Sequence, residues 1–284
     1  MPKQWKIAVL GAGRAGRARI AAIEAHPRCR LAGVVRRRPG PGEPDLEAAL
    51  ADPGVDAVIV CTPNLLHARA VRAALEAGKH VAVEYPLAES SAEAAELFER
   101  AAAGARVLHV EHIELLSGSQ RRLRESARGL GRPRGGGLRF SGGSDGWIAR
   151  EDLAGGPGLR ALARLHRLVD LFGPAEVSRR RLETSESGYR LEVGLRFAAG
   201  GETSLSEVRA PQLARASEWE VECEAGILRT PPASPERGLF ARDLEVFVSR
   251  LETRATSYVS DARVLEVLSL VDAIDRPAYP PARA

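Results

Sequence analysis

The chain has 284 residues, 44% hydrophobic and 27% charged, which is enough for two domains with cores of their own. A net charge of +4 and an aromatic content of 5% argue against a nucleic-acid partner, which needs basic and aromatic residues clustered together. No apolar run is long enough to span a membrane, no signal-peptide pattern precedes the first strand, and Cys29, Cys61 and Cys223 are too few for a disulfide framework, so a cytoplasmic protein is expected.

Lys6–Leu10, KIAVL, is an unbroken apolar run of the kind found in parallel strands buried on both faces. GAGRAGRARIAAIEAHP follows as a glycine turn and a helix that stops before Pro27. RLAGVV predicts a second strand, DLEAALADP a short helix, and DAVIVCTP a third strand closed by proline. LLHARAVRAALEAGK is an amphipathic helix stopped at Gly78, and HVAVEYP is strand four. Ser90 or Ser91 caps the next helix, SAEAAELFERAAAGA, and RVLHVEHIELL is strand five with its exit. Alternating strands and helices imply a parallel sheet with right-handed crossovers.

The pattern changes after about Leu116. Residues 117–137 predict a loop or short helix, and GLRALARLHRLVDLFG has apolar residues at helical spacing. Segments near 175–185, 189–198, 203–209 and 218–230 alternate like antiparallel strands, with a hairpin about Gly200–Gly201. Two helices and a loose tail, RPAYPPARA, end the chain. The fold class expected is α/β: a Rossmann domain over 1–118, then an α+β domain over 119–284 with a mostly antiparallel, open-faced sheet.

Gly11, Gly13 and Gly16 form G-x-G-x-x-G between a strand and a helix, the context that motif requires. Gly11 permits a tight turn, Gly13 lets backbone approach a pyrophosphate, and Gly16 lets helix and strand pack closely. With Arg14 and Ala15 they would set phosphates on the helix N-terminus. An NAD site usually has an acid at the end of the second strand, but here Arg36, Arg37 and Arg38 stand there. Guanidinium groups suit a 2′-phosphate, so NADPH is the expected cofactor; a solvated charge run is the other reading, and it leaves NADH open.

These stretches resemble the glucose–fructose oxidoreductase and inositol dehydrogenase family. The resemblance rests on AVLGAGRAG, on CTPNLLHARAVRAALEAGKHVAVEYP, and on the change of pattern after residue 116. It implies a substrate site between the nicotinamide and the open face of the second sheet. Where the family's sugar dehydrogenases carry Glu-Lys-Pro, this chain has Glu84, Tyr85 and Pro86. Within the family, the biliverdin reductase branch is the more similar. It shares Glu-Tyr-Pro, the arginines after strand two, VLHVEHIELL, and Arg164, Leu165, Leu168, Val169, Leu171, Phe172 and Gly173.

Oxidising a sugar hydroxyl needs a base. Lys3, Lys6 and Lys79 are the only lysines, so 38 of the 41 Lys and Arg residues are arginine, which stays protonated. Tyr85 could serve as that base only with its pKa far below ~10. Reducing a conjugated tetrapyrrole asks for less: a hydride to the central methine carbon and a proton to a pyrrole nitrogen. The resemblance implies NAD(P)H-dependent reduction of biliverdin to bilirubin, and this chemistry points the same way. A small-sugar or carbonyl oxidoreductase and a non-catalytic NADP(H)-binding regulator are the alternatives, and the oligomeric state is left open.

The resemblance implies roles for particular residues. Tyr85 and Arg164 are the catalytic candidates, with Arg164 and Arg167 holding substrate. Thr62, Pro63, Asn64, His67, Glu84, Tyr85, Glu111 and His112 line the cofactor side, with a helix cap or solvated turn residue as the other reading of Asn64 and His67, and a surface arginine as that of Arg164. His109 and His112, with neighbouring acids, are not read as a metal site, because positions three apart on a strand face opposite sides.

Overall fold

The structure, a computed structural model, describes residues 3–36, 44–230 and 236–276. The first half runs β1 (Trp5–Leu10), α1 (Arg14–Ala25), β2 (Cys29–Val35), α2 (Leu46–Ala51), β3 (Ala57–Val60), α3 (His67–Glu76), β4 (His80–Val83), α4 (Ser91–Ala103), β5 (Leu108–Val110) and α5 (Ile113–Leu116). There follow α6 (Gly118–Gly129), β6 (Pro133–Gly143), α7 (Glu151–Ala154), α8 (Pro157–Phe172), β7 (Ala175–Ser185), β8 (Gly188–Phe197), β9 (Glu202–Ala210), β10 (Ala216–Cys223), β11 (Gly226–Thr230), α9 (Leu239–Thr253) and α10 (Asp261–Asp275).

The chain divides into two compact units: Met1–Ile113 with Gly238–Leu265, and Glu114–Arg237 with Glu266–Ala284. This corrects the single division expected at 118/119. Local pattern cannot reveal a helix that returns to the first unit's core more than a hundred residues later. Leu244, Phe247, Val248 and Leu251 of α9 pack there with Ile7, Val9, Ile23 and Ile59.

The first unit is a parallel sheet in the order β2-β1-β3-β4-β5. All four residues of β3 are buried, as a central parallel strand requires. The strand order reverses between β1 and β3, so the loops after these two strands flank a crevice, the usual ligand position in such sheets. Ser90 caps α4, its hydroxyl accepting from the Glu93 N–H at 3.2 Å. The expected fifth strand is only three residues long; the chain then turns into α5.

The second unit carries a six-stranded sheet, β11-β10-β6-β9-β8-β7, antiparallel except where β6 pairs with β9. The hairpin about Gly200–Gly201 joins β8 to β9. The strand expected over 218–230 is two strands, turning at Glu224–Ala225. Residues 117–137, expected as loop or short helix, supply the three-turn α6 and the start of β6. β6 was hard to read because Gly135–Gly137 carries no strand signal, yet a Cβ on Gly136 would lie 2.0 Å from the Glu220 carbonyl oxygen. Helix α8 covers one face of the sheet, over Leu138, Phe140, Leu191 and Leu205. The last eight residues of the expected loose tail lie outside the described residues. Among the described residues, no helix is long and apolar enough to cross a membrane.

Candidate functional site

In the first unit, the glycine turn is built by close approach. Gly11 has φ +103°, and a Cβ there would stand 2.5 Å from the Cys61 carbonyl oxygen. A Cβ on Gly16 would stand 1.9 Å from the Gly11 oxygen. Gly13 has nothing within 4 Å of its would-be Cβ, which leaves the backbone open to a ligand. Gly13 is also the N-cap of α1, and no side chain caps that helix. The N–H groups of the first turn, which Arg14 and Ala15 begin, therefore remain available to an anion. Across the crevice, in the Thr62-Pro63-Asn64 turn, the Thr62 hydroxyl is buried with no hydrogen-bond partner. An uncapped helix end, an open glycine and an orphaned hydroxyl fit the phosphates of a dinucleotide. Arg36 is exposed directly after β2; Arg37 and Arg38 lie outside the described residues.

His67 is placed differently from expectation. It is 1% exposed, with Nε2 2.6 Å from the Thr62 carbonyl and Nδ1 2.7 Å from the Pro86 carbonyl. Burial lowers its pKa, against the pull of the two carbonyls. The ring holds the turn after β3 to the turn after β4 and has almost no surface to offer a ligand.

At the end of β4 the Glu84 N–H donates to the Val60 carbonyl at 3.0 Å, and its Oε1 accepts from Arg19 Nε at 2.7 Å. The adjoining Tyr85 ring is half-buried and stacks on His112, with centroids 5.8 Å apart and planes 8° apart. Burial pushes His112 down to about 3, so its imidazole is neutral at physiological pH. Glu111 is fully buried. Its Oε1 accepts from the Ile113 N–H at 2.5 Å, and its Oε2 has no partner. Burial first, then the charges of Glu84 and Asp243, raises its carboxyl well above the usual range.

Sequence reasoning missed Arg19, Asp243, Tyr258 and the true role of His109. Arg19, 1% exposed, donates from Nη1 to Asp243 Oδ2 at 2.6 Å. Asp243 Oδ1 accepts from the Tyr258 hydroxyl at 2.5 Å and faces His109 Nε2 at 3.0 Å. Arg250 Nη1 donates to His109 Nδ1 at 3.3 Å, so the Nε2–H is the one given to Asp243. The Tyr258 oxygen in turn accepts the His112 N–H at 2.8 Å. No motif marks these residues; the only sequence signal was a buried-looking arginine on the glycine-turn helix.

In the second unit, Arg164 is 3% exposed. Its Nε donates to Glu207 Oε2 at 3.0 Å and its Nη2 to Glu207 Oε1 at 3.1 Å. Glu207 also accepts from Arg209 Nε at 2.7 Å and from the Tyr189 hydroxyl at 3.2 Å. Arg167 is 8% exposed, donates to Gln120 Oε1 at 2.8 Å, and lies 4.9 Å from the Trp219 ring centroid. Both were expected to meet substrate; the structure gives both buried partners within their own unit, because one face of α8 packs on the sheet. Among the described residues, no group of three His, Cys, Asp or Glu side chains is arranged to hold a metal.

Comparison with known proteins bears on this geometry. Residues 5–112 match the GFO/IDH/MocA model, described as an oxidoreductase family with an NAD-binding Rossmann fold. The chain is 31% identical to biliverdin reductase A of Mus musculus and 30% identical to that of Homo sapiens, each time over 96% of both chains. The crystal structure of a Synechocystis biliverdin reductase, in complex with biliverdin and NADP+, superposes with a TM-score of 0.83. That match covers 94% of this chain and 96% of that one at 24% identity, and it speaks to fold.

Proposed function

The chain belongs to the GFO/IDH/MocA family of NAD(P)-dependent oxidoreductases, and from that premise we propose that it reduces biliverdin to bilirubin with NADPH. The observation that carries this reading is the end of β4. Tyr85 stands where a sugar dehydrogenase needs a base, and its stacking partner His112 is neutral. No lysine replaces it: Lys79 Nζ is committed to the carbonyls of Asp52 and Val55, Lys3 pairs with Asp56, and Lys6 is an exposed residue near the start of β1. Such a site suits a substrate that accepts a hydride and asks for no hydroxyl deprotonation.

The reaction adds a hydride to the central methine carbon and a proton to a pyrrole nitrogen, which together make a two-electron reduction. When bound, the reduced nicotinamide supplies the hydride. Gly13 and the first-turn N–H groups of α1 would hold the pyrophosphate, with Gly11 and Gly16 giving the turn its close approach, and Glu84 would accept a hydrogen bond from the nicotinamide ribose or amide. Arg36, Arg37 and Arg38 would read the 2′-phosphate. Tyr85 offers an aromatic edge and a phenol to the flat ligand. Arg164 and Arg167, with their buried partners, hold the substrate domain in shape.

The test is NADPH oxidation with biliverdin IXα, followed as the absorbance change from green to yellow pigment. Cofactor binding without bilin-dependent oxidation sinks the proposal. Neutralising Arg37 and Arg38 together should weaken NADPH by about tenfold, the worth of one charge-assisted contact, and leave NADH unchanged. Equal losses would remove the 2′-phosphate from the account.

A further inference from the structure

We infer that Asp243, on the helix that returns from the far end of the chain, is a positioning residue for the cofactor, acting through Arg19 on Glu84. The inference rests on the reading above that Glu84 touches the nicotinamide half of the cofactor.

The geometry is a relay of three charged groups. Arg19 places Nε on Glu84 Oε1 at 2.7 Å and Nη1 on Asp243 Oδ2 at 2.6 Å. Two edges of one planar guanidinium are thus fixed at once, and the guanidinium cannot rotate without losing one of them. Glu84 is therefore gripped by one oxygen. Its Oε2 takes no hydrogen bond among the described residues, and its side chain keeps 14% exposure, so that oxygen is the one presented to a ligand. Asp243 is fully buried, and its other oxygen is held by Tyr258 and His109. The carboxylate that orients Arg19 has no freedom of its own.

The charges require the third member. With Glu84 alone, Arg19 would be a fully buried cation leaning on a partly exposed anion. It would draw the Glu84 carboxylate inward and compete for both of its oxygens. With Asp243 as the second anion, Arg19 needs only one of them. The ring of Phe240, centred 4.9 Å from the guanidinium carbon, closes the remaining face. Segment 5–112, which matches the family model, lacks this anion; the chain supplies it from residue 243.

The experiment is a double-mutant cycle read on the dissociation constant of NADPH, by fluorescence titration, with Glu84→Gln and Asp243→Asn on the full chain. Circular dichroism melts confirm that each variant is folded. If Asp243 acts through Glu84, Asp243→Asn weakens NADPH by about fivefold in the native background and by less than about twofold once Glu84 is Gln. The same factor in both backgrounds overturns the inference and leaves Asp243 a stability residue only. No effect of Glu84→Gln alone overturns the reading of Glu84 itself, and is a different result. Should the double variant not fold, Asp243→Glu enters the same cycle. It keeps an anion against Arg19 but displaces it by a methylene, so the same non-additivity is expected.

Discussion

Each unit is organised around one buried carboxylate, and the two differ in what their arginines do next. Asp243 in the first unit and Glu207 in the second are both fully buried, and each accepts from a tyrosine hydroxyl and from arginine. Burial alone would raise both carboxyls; the facing arginines override it and hold both below the usual range. Arg19 passes from Asp243 to a second carboxylate, Glu84, which reaches the surface. Arg164 turns both Nε and Nη2 back onto Glu207. One hub is open at its end, at the part-exposed Glu84; the other closes back on its own carboxylate, Glu207. A buried arginine is therefore not a functional signal until the far side of its guanidinium has been accounted for.

The largest expected effect breaks the closed hub. Glu207→Ala leaves Arg164 and Arg209 without their carboxylate, one of them 3% exposed. Removing one partner of a buried pair costs about 3–5 kcal/mol, because the remaining charge stays desolvated. Denaturant unfolding should show that loss, while the affinity of folded protein for NADPH stays within about twofold. A large loss of cofactor affinity with unchanged stability would erase the distinction between the hubs.

Acid should act on both hubs together. A carboxyl whose folded pKa is depressed contributes stability that is complete above its unfolded value, ~3.9 for Asp and ~4.3 for Glu, and is lost as pH falls through the folded value. Urea midpoints should hold down to pH ~4.5 and fall steeply below it. Glu207→Gln should flatten that fall. A native protein whose midpoint does not change between pH ~5 and ~2.5 would contradict the ionised state of both groups.

The same contrast explains what could be read from the sequence. Glu84 and Tyr85 were singled out through the family resemblance, while the parallel sheet and the glycine turn were legible because each lies within one strand–turn–helix unit, where spacing and composition carry the information. Asp243, Tyr258 and Glu207 were not. Asp243 meets Arg19 across more than two hundred residues, and nothing local in LFARDLEVF distinguishes that acid from its neighbours. Arg164 was expected at the substrate because of the family resemblance; its partner Glu207 sits on an alternating strand whose other glutamate, Glu202, is exposed. Periodicity placed Glu207 on a face and could not say which helix would cover it. β6 escaped because its glycines fit by lacking side chains, and absence of a side chain leaves no pattern.

A smaller effect sharpens the open hub. Glu111 carries a raised carboxyl pKa, so its contribution is present below the unfolded value and is lost as pH rises toward the folded one. Its Oε2 is also buried without a partner. Glu111→Gln removes the ionisation and keeps the shape, with an amide oxygen still able to accept from Ile113. At pH 7 it should be more stable than the native protein, because the unfolded chain no longer gains by ionising a group that the fold holds protonated, and it should match the native protein near pH 4. Destabilisation at pH 7 would mean that the carboxylate is ionised and paired.

The smallest effect is kinetic and falls on Tyr85, beside the open end. Tyr85→Phe keeps the ring that stacks on His112 and removes one hydroxyl from a half-buried side chain, so stability should change by less than about 1 kcal/mol. If the reaction is hydride addition to a bilin, no obligatory base is lost. Turnover should then fall by about tenfold, the worth of one hydrogen bond to the reacting ligand, with little change in the KM for NADPH. Arg164→Ala supplies the contrast. It removes a cation from the closed hub and leaves Glu207 with Arg209 and Tyr189, so its loss should appear first in the unfolding midpoint. Steady-state kinetics with saturating NADPH, beside melts of both variants, separates the two outcomes. A dead Tyr85→Phe would make the phenol the obligatory proton donor. A stable Arg164→Ala that is slowed by about a hundredfold would mean that the second hub is also open to the substrate, and the contrast between the units would fail.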